Sequence, residues 1–266
     1  MRVSIAGVGV LGPGLQGWES SRAILRGDRT YKAEPLELAA PAILSARERR
    51  RSSPTVRMAL TVASEAVSQA GLAPDWLATV YGSSNGSGLE IHKLLEALST
   101  PEMLVSPTHF HNSVHNAAAG YWCIATSCHQ PSTSIACHDY TFAAALLKAA
   151  TQIHVEARPV LLVVFDCPMP KPLHGKRPIA APFAAAFALT PEGLASARAE
   201  LSLAWQSDAS ARGVSSPRAP ELAELWRGNP AARSLPLLEA LALNRVGSLS
   251  LRYPEDGRLN LELTPC

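Results

Sequence analysis

Three adjacent reactive side chains lie between a short strand pattern and an alanine-rich helix pattern. They are Cys137, His138 and Asp139. A cysteine at the start of a helix can act as an acyl-transfer nucleophile when its pKa is lowered, and His138 or His115 could serve as its base. A carboxylate there is stabilised by the helix dipole, but an acyl group on it would form a labile anhydride. The residue that begins the helix therefore decides whether the chain has a nucleophile.

His109, His111 and His115 form the densest group of potential metal ligands, because two histidines four residues apart on a helix can share a metal. No carboxylate or cysteine in the surrounding HFHNSVHN completes a ligand set. The five cysteines form no CxxC pair and are interpreted as reduced thiols. The sequence therefore predicts no metal site.

A GxGxxG pattern, Gly7, Gly9 and Gly12, follows an apolar run and could mark a dinucleotide site. Such a site needs an acidic residue at the end of a second strand about twenty residues later. Asp28 lies at that distance, in a segment without strand character. The glycines are therefore interpreted as a tight turn, and no cofactor is expected.

Composition excludes several classes of protein. The 266 residues are 47% hydrophobic and carry a formal charge of +2, so no excess of charge favours nucleic acid or an anionic membrane surface. No stretch approaches the roughly 20 apolar residues of a membrane span, and the N-terminus lacks the features of a signal peptide. A cytoplasmic protein is expected.

Strand and helix patterns alternate along the first 190 residues. Strands are predicted at 3–10, 77–81, 132–136, 160–167 and 180–189, the last antiparallel to the one before it. Helices are predicted at 15–25, 54–70, 89–98, 113–126 and 141–155. This order indicates an α/β fold with a mixed five-stranded sheet covered by helices.

The pattern weakens beyond residue 190. An irregular segment with a surface loop at 207–220 is expected, then a helix at 235–243. Two period-two segments around 254–257 predict a C-terminal hairpin. We expect a single domain over 1–266, with its core at 1–190 and an extension at 191–266.

The segment 105–149 resembles the β-ketoacyl synthase branch of the thiolase superfamily. The matching positions are Ser106-Pro107, Asn116 with Ala119-Gly120, and Pro131-Ser132. The opening VSIAGVGVLGPG also resembles the first strand and turn of that family. The resemblance covers about residues 1–190 and implies a thiolase-like fold that corresponds to the N-terminal half of a ketosynthase.

Aligned without gaps, the resemblance assigns the position of the family's nucleophilic cysteine to Asp139, eight residues after Pro131. Moving Cys137 into that position would delete two strand residues and rotate the buried face of the next helix by about 200°. No catalytic residue is therefore expected, and Asp139 is expected to cap the helix, with His138 beside it.

The second half of a ketosynthase supplies two further catalytic histidines and a lysine. No histidine and no HGTGT signature follows Leu189, so the chain is expected to stop where that half would begin. Asn85 corresponds to the family's bulky gating residue, and its small side chain argues against a gating role.

The resemblance thus implies a non-catalytic chain length factor that pairs with a full-length β-ketoacyl-ACP synthase and shapes the acyl tunnel. The short form is associated with aryl polyene and related pigment pathways, where acyl carrier protein would be an indirect partner. The alternative is an independent acyl-transfer or hydrolytic enzyme that uses Cys137. Residues expected at the partner interface or tunnel are His109, Phe110, Asn112, Ser113, Asn116, Tyr121, Ser132, Ser134 and Ala136.

Overall fold

A computed structural model describes residues 1–193, 197–207 and 213–266. Within these residues one nine-stranded sheet has the order β4-β3-β5-β6-β1-β7-β9-β8, and β2 pairs with β1. The strands are β1 Arg2–Gly12, β2 Leu15–Gln16, β3 Ala78–Gly82, β4 Ser132–Ile135, β5 Val160–Asp166, β6 Phe183–Thr190, β7 Ala199–Gln206, β8 Gly247–Arg252 and β9 Arg258–Pro265.

Nine α-helices lie in the same described ranges. They are α1 Trp18–Arg26, α2 Ala46–Arg51, α3 Pro54–Ala70, α4 Gly88–Leu98, α5 Pro107–Ser113, α6 Ala117–Thr126, α7 Thr141–Glu156, α8 Ala223–Gly228 and α9 Leu235–Leu243. None of them is long and apolar enough to cross a membrane.

The central strand β5 is buried on both faces, which explains its unbroken apolar sequence. Leu161 and Val163 point into the cluster formed with α3. Leu162 and Val164 point into the opposite cluster, which contains α7 and the C-terminal elements. The sheet is therefore the middle layer between two layers of helices, as the alternation of strands and helices predicted.

The two glycines Gly7 and Gly9 allow α3 to lie directly on β1. A Cβ atom on Gly7 would be 2.0 Å from the carbonyl oxygen of Ala66, and one on Gly9 would be 2.2 Å from the carbonyl oxygen of Val62. Both contacts are with helix backbone, which cannot move aside. The GxG spacing thus serves the packing of a helix on a strand.

Two predictions need correction. The helix expected at 113–126 begins only at Ala117, as α6, because Val114 is extended, and a separate helix, α5, precedes it at Pro107–Ser113. The sheet does not end near residue 190: β7 pairs antiparallel with residues 2–5 of β1, and β9 and β8 follow it. The predicted five-stranded sheet is the part β4-β3-β5-β6-β1 of a larger one.

The strand β7 was missed although its sequence AELSLAWQ alternates in polarity. Ala199, Leu201 and Leu203 are buried, whereas Glu200 and Ser202 are only partly so. The predicted helix at 235–243 and the C-terminal hairpin are present as α9 and as β8 with β9. The loop expected at 207–220 lies partly outside the described residues.

We expect Gly9→Ala to lower the free energy of unfolding by about 3 kcal/mol or more, because the new methyl group would overlap the backbone of α3. The control is Gly120→Ala, since no atom lies within 4 Å of a Cβ at this exposed helical glycine. That change should stabilise α6 by about 0.5–1 kcal/mol. Chemical denaturation measures both, and equal stability of the two variants would contradict the packing role.

Candidate functional site

The turn between β4 and α7 carries the residues that the sequence analysis singled out. His138 has a positive φ of 48° and begins a single 3-10 turn that ends at Tyr140. The hydroxyl group of Thr141 donates to the carbonyl oxygen of His138 over 2.7 Å, and it accepts the N–H of Cys137 over 3.0 Å. Thr141 therefore holds this elbow closed.

Asp139 lies in that turn, directly before α7, and its carboxylate is half-exposed. Arg177 Nη2 approaches Asp139 Oδ1 to 2.8 Å, and His138 Nδ1 lies 3.6 Å from the same atom. The carboxylate makes no capping hydrogen bond to α7. The expected cap is thus wrong, because the negative charge is paired with Arg177 instead.

Cys137 lacks the surroundings of a nucleophile. Burial raises the pKa of its thiol, whereas a reactive cysteine needs a lowered one. Neither His138 nor His115 hydrogen-bonds to its sulfur among the described residues, and His115 Nε2 is 2.9 Å from the carbonyl oxygen of Ser83. This arrangement gives no support to Cys137 as an acyl-transfer nucleophile.

The three neighbouring histidines have separate partners. His109 Nδ1 is 2.6 Å from a carboxylate oxygen of Glu90, which links α5 to α4. The ring of His111 packs edge-on against Tyr121 at 5.4 Å between centroids, while His115 contacts Ser83. Within the described ranges, no three His, Cys, Asp or Glu side chains are grouped as metal ligands.

Asp166 is a fully buried carboxylate at the end of β5. Its Oδ1 atom accepts hydrogen bonds from the hydroxyl groups of Ser83 and Ser84 and from the N–H of Ser84, at 2.8–3.1 Å. Its Oδ2 atom has no hydrogen-bond partner. Burial raises the pKa of Asp166 to about 6, and the hydrogen bonds oppose that rise. Asp166 thus holds the loop at 82–88 in place through its hydrogen bonds to Ser83 and Ser84.

Asp139 and His138 are neighbours in the elbow, but Asp166 makes no hydrogen bond or ion pair with either of them in the described residues. Asp166 is bound by the serine loop, and Arg177 acts electrostatically on it as well as pairing with Asp139. Arg177 could not be assigned to this site from the sequence, because it is distant along the chain from Asp139 and only the fold brings the two together. Asn85, in the same loop, has both polar side-chain atoms buried without a partner.

The strand β4 lies at one end of the sheet and pairs only with β3. The carbonyl oxygens of Pro131 and Ile135 accept from the N–H groups of Thr79 and Ser83. Because alternate residues of a paired strand point their polar backbone groups the same way, the N–H and C=O groups of Ser132 and Ser134 point away from β3. The edge predicted at 132–136 is therefore present and open.

Beside this edge, α4, α5 and α6 carry an apolar surface. Seven of the twelve large apolar side chains that are exposed in the described residues come from this region, and we call them the α4–α6 apolar surface. They are Leu95, Leu98, Met103, Leu104, Phe110, Val114 and Ile124. α6 contacts both β4 and α5, and α5 contacts α4, so these segments are neighbours in the fold. Exposed apolar side chains on neighbouring segments are typical of an interaction site.

The expected interface residues fall into two groups. Asn112 and Tyr121 are buried inside the chain, and the amide of Asn112 donates to the carbonyl oxygens of Arg51 and Thr108. They support α5 and α6 from within. The others reach the surface at least in part: Phe110, Asn116, Ser132 and Ala136 are exposed, and His109, Ser113 and Ser134 are half-buried.

Comparison with protein families matches residues 18–248 to the family described as Beta-ketoacyl synthase, N-terminal domain. No curated protein matches the sequence. Among solved structures, the ketosynthase ApeO in complex with its chain length factor ApeC from Xenorhabdus doucetiae gives a TM-score of 0.73 at 23% identity, and the match covers 98% of this chain and 99% of that chain.

The ishigamide ketosynthase/chain length factor gives a TM-score of 0.75 at 14% identity, over 100% of this chain and 99% of that one. The structure of the type II PKS acyl-carrier protein AntF with its ketosynthase AntDE gives 0.75 at 12% identity, over the same shares of the two chains. At these identities the likeness establishes the ketosynthase-like fold.

We expect Asp166→Asn to change how stability depends on pH. The folded chain holds the Asp166 proton up to a pH of about 6, whereas the carboxyl group's ordinary pKa is 3.8. Folding therefore takes up a proton between these values, and this group's contribution to the free energy of unfolding falls as pH rises through that window.

Asn keeps the acceptor for Ser83 and Ser84 and removes the buried charge. The variant should exceed the natural chain in stability by about 1–3 kcal/mol at pH 7, and this difference should vanish near pH 4. Urea unfolding across pH 4–7 measures it, with the exposed Asp75→Asn as control. A difference that does not vary with pH would contradict the raised pKa.

Proposed function

The chain belongs to the β-ketoacyl synthase N-terminal domain family, and we propose from this premise that it is a non-catalytic chain length factor. It would pair with a full-length β-ketoacyl-ACP synthase and shape the tunnel in which the acyl chain grows. The observation that carries the proposal is the open edge of β4 beside the α4–α6 apolar surface, on a fold whose elbow presents Asp139.

The elbow supports the non-catalytic part of the proposal. Condensation needs a thiolate that accepts the acyl chain as a thioester. Asp139 is held in an ion pair with Arg177, and the pKa of the nearby Cys137 thiol is raised. The described part of the extension adds strands to the existing sheet, so in this proposal residues 1–190 correspond to the first ketosynthase half and 191–266 are specific to this form.

The β4 edge supports the paired state. In ketosynthases the strand before the elbow pairs with its mate across a two-fold axis, and a partner strand would satisfy the outward backbone groups of Ser132 and Ser134. The Ser134 hydroxyl group is buried without a hydrogen-bond partner in this chain alone.

The finer parts of the proposal concern the pathway. Structures described as a ketosynthase with its chain length factor, and as a ketosynthase with an acyl-carrier protein, share this fold. We therefore include acyl carrier protein as an indirect partner and polyene-type acyl elongation as the process. A cytoplasmic setting is included because all five cysteines are free thiols.

Ser134→Pro should abolish co-purification with the full-length ketosynthase of the native host. Proline removes the N–H that points to the open edge and leaves the ladder between β4 and β3 intact. Ser134→Ala keeps this N–H and should retain the complex. Thr133→Pro, whose N–H points toward β3, should instead destabilise the chain itself.

Affinity capture of the tagged chain, followed by quantification of the bound ketosynthase, measures this effect. Circular dichroism shows whether each variant is folded. Recovery of the complex by folded Ser134→Pro at the natural yield would mean that β4 does not pair with the partner.

Ser113→Trp and Asn116→Trp should preserve the complex and shorten its products, because added volume at the start of α6 would fill the shared tunnel. Both side chains reach the surface, whereas the buried Asn112 is unsuitable for enlargement. The control is Ser248→Trp on β8, at the opposite end of the sheet. Mass spectrometry measures the length of the acyl chains. Unchanged length in both variants would mean that this surface does not determine the chain length.

A further inference from the structure

A cavity of about 290 Å³ lies beside the elbow, between the start of α7 and the C-terminal extension. Its apolar wall is formed by Phe142 and Leu251, which are buried, with the half-buried Trp226 beside them. Phe142 and Leu251 belong to the hydrophobic cluster on the α7 face of the sheet. The cavity is therefore on the face opposite to α6, whose buried side chains belong to the other cluster.

Two arginines line the same cavity. The guanidinium group of Arg233 lies over the ring of Trp226 at 4.4 Å, and its Nη2 atom donates to the carbonyl oxygen of Arg227. No other side-chain hydrogen bond of Arg233, and none of Arg252, is found among the described residues. Burial lowers the pKa of Arg233 most strongly, the nearby charge of Asp139 opposes this, and the charge of Arg252 lowers the pKa further. Two cations that repel one another at a cleft favour an anion between them.

The carboxylate of Asp139 restricts the class of anion that the cavity can bind. Asp139 lines the cavity, and its charge is paired with Arg177 at 2.8 Å. Asp139 also acts electrostatically on Arg233, so one carboxylate stands against Arg177, Arg233 and Arg252, and net positive charge remains for a ligand. Asp139 disfavours a doubly charged phosphate more than a singly charged carboxylate. The planar guanidinium fork matches carboxylate geometry, and the apolar wall requires an apolar body. Ligand pockets usually span about 300–1,000 Å³, so this one suits a small molecule.

We propose that this cavity binds a free, small monocarboxylate with an apolar or aromatic body. The carboxylate lies between Arg233 and Arg252, and the body packs against Phe142, Leu251 and Trp226. The site does not depend on the proposed chain length function, because it uses neither β4 nor the α4–α6 apolar surface. It also involves no thioester, since the ligand is held by ionic and apolar contacts.

Isothermal titration of the purified full chain, or of its complex, tests the proposal with octanoate and cinnamate as probes. Octanol, cinnamyl alcohol and inorganic phosphate are the comparison ligands. Each carboxylate should bind at least about tenfold more tightly than its alcohol, because only the carboxylate pairs with the arginines. Phosphate should bind more weakly than either carboxylate.

Arg252→Gln is the main variant, because this side chain is exposed and makes no side-chain hydrogen bond or ion pair among the described residues. It should weaken carboxylate binding by about tenfold, and Arg233→Gln by at least as much. The control Arg245→Gln removes an exposed arginine that does not line the cavity and should leave binding unchanged.

Equal affinity for alcohols and carboxylates, tighter binding of phosphate, or undiminished binding by Arg252→Gln would each overturn the proposal. Ser134→Pro separates the two hypotheses. This variant should lose the partner ketosynthase and still bind the carboxylates. Carboxylate binding can therefore be tested even if the proposed chain length function is wrong.

Discussion

The two edge strands of the sheet differ in whether their outward-facing backbone N–H and C=O groups are hydrogen-bonded, and the arrangement of the molecule depends on this difference. At the β8 end, Ser250 has outward-facing polar groups, and Ser215 bonds both of them at 2.9 Å. At the β4 end, no described residue bonds the outward groups of Ser132 and Ser134. An unpaired edge strand promotes association, so the β4 edge is the one suited to pairing with another strand, whereas β8 is covered by its own chain at Ser250.

The central strands hold that open edge in a defined position. β3, β5 and β6 are buried along their whole length, and α3 and α7 cover their two faces. β4 itself is only partly buried, although its neighbour β3 is fully covered. Its register is fixed from one side by the ladder to β3, which allows a short strand to hold a defined edge without a second neighbour.

Most of the layered fold could be predicted because periodicity is a local property. α3 has a proline in its first turn and ends at the left-handed Gly71, so both of its ends are visible in the sequence. β7 was harder, since its alternation is short and includes Ala204 at a polar position. The break between α5 and α6 contains His115, whose ring contacts the Ser83 loop, and no local pattern reveals such a distant contact.

The candidate site also has features that could be predicted from the sequence and features that could not. Counting residues from Pro131 was enough to favour Asp139 over Cys137 at the elbow, and the raised pKa of the Cys137 thiol is consistent with that choice. The partner of Asp139 could not be predicted, because Arg177 follows β5 and reaches the elbow only when β5 and α7 are packed. The same holds for Asp166, whose hydrogen bonds come from a loop that is distant in sequence.

The elbow is stabilised both by residues that are close to it in sequence and by residues that are far along the chain. Thr141 fixes the backbone turn within a few residues, whereas Arg177 and the C-terminal extension bring positive charge to it from far along the chain. In a condensing enzyme the same helix start would stabilise a thiolate. Here it holds a carboxylate that is already paired with an arginine, so the dipole and the cations stabilise a fixed charge. A fixed ion pair favours one geometry of the turn, and this turn directly follows the strand that carries the open edge.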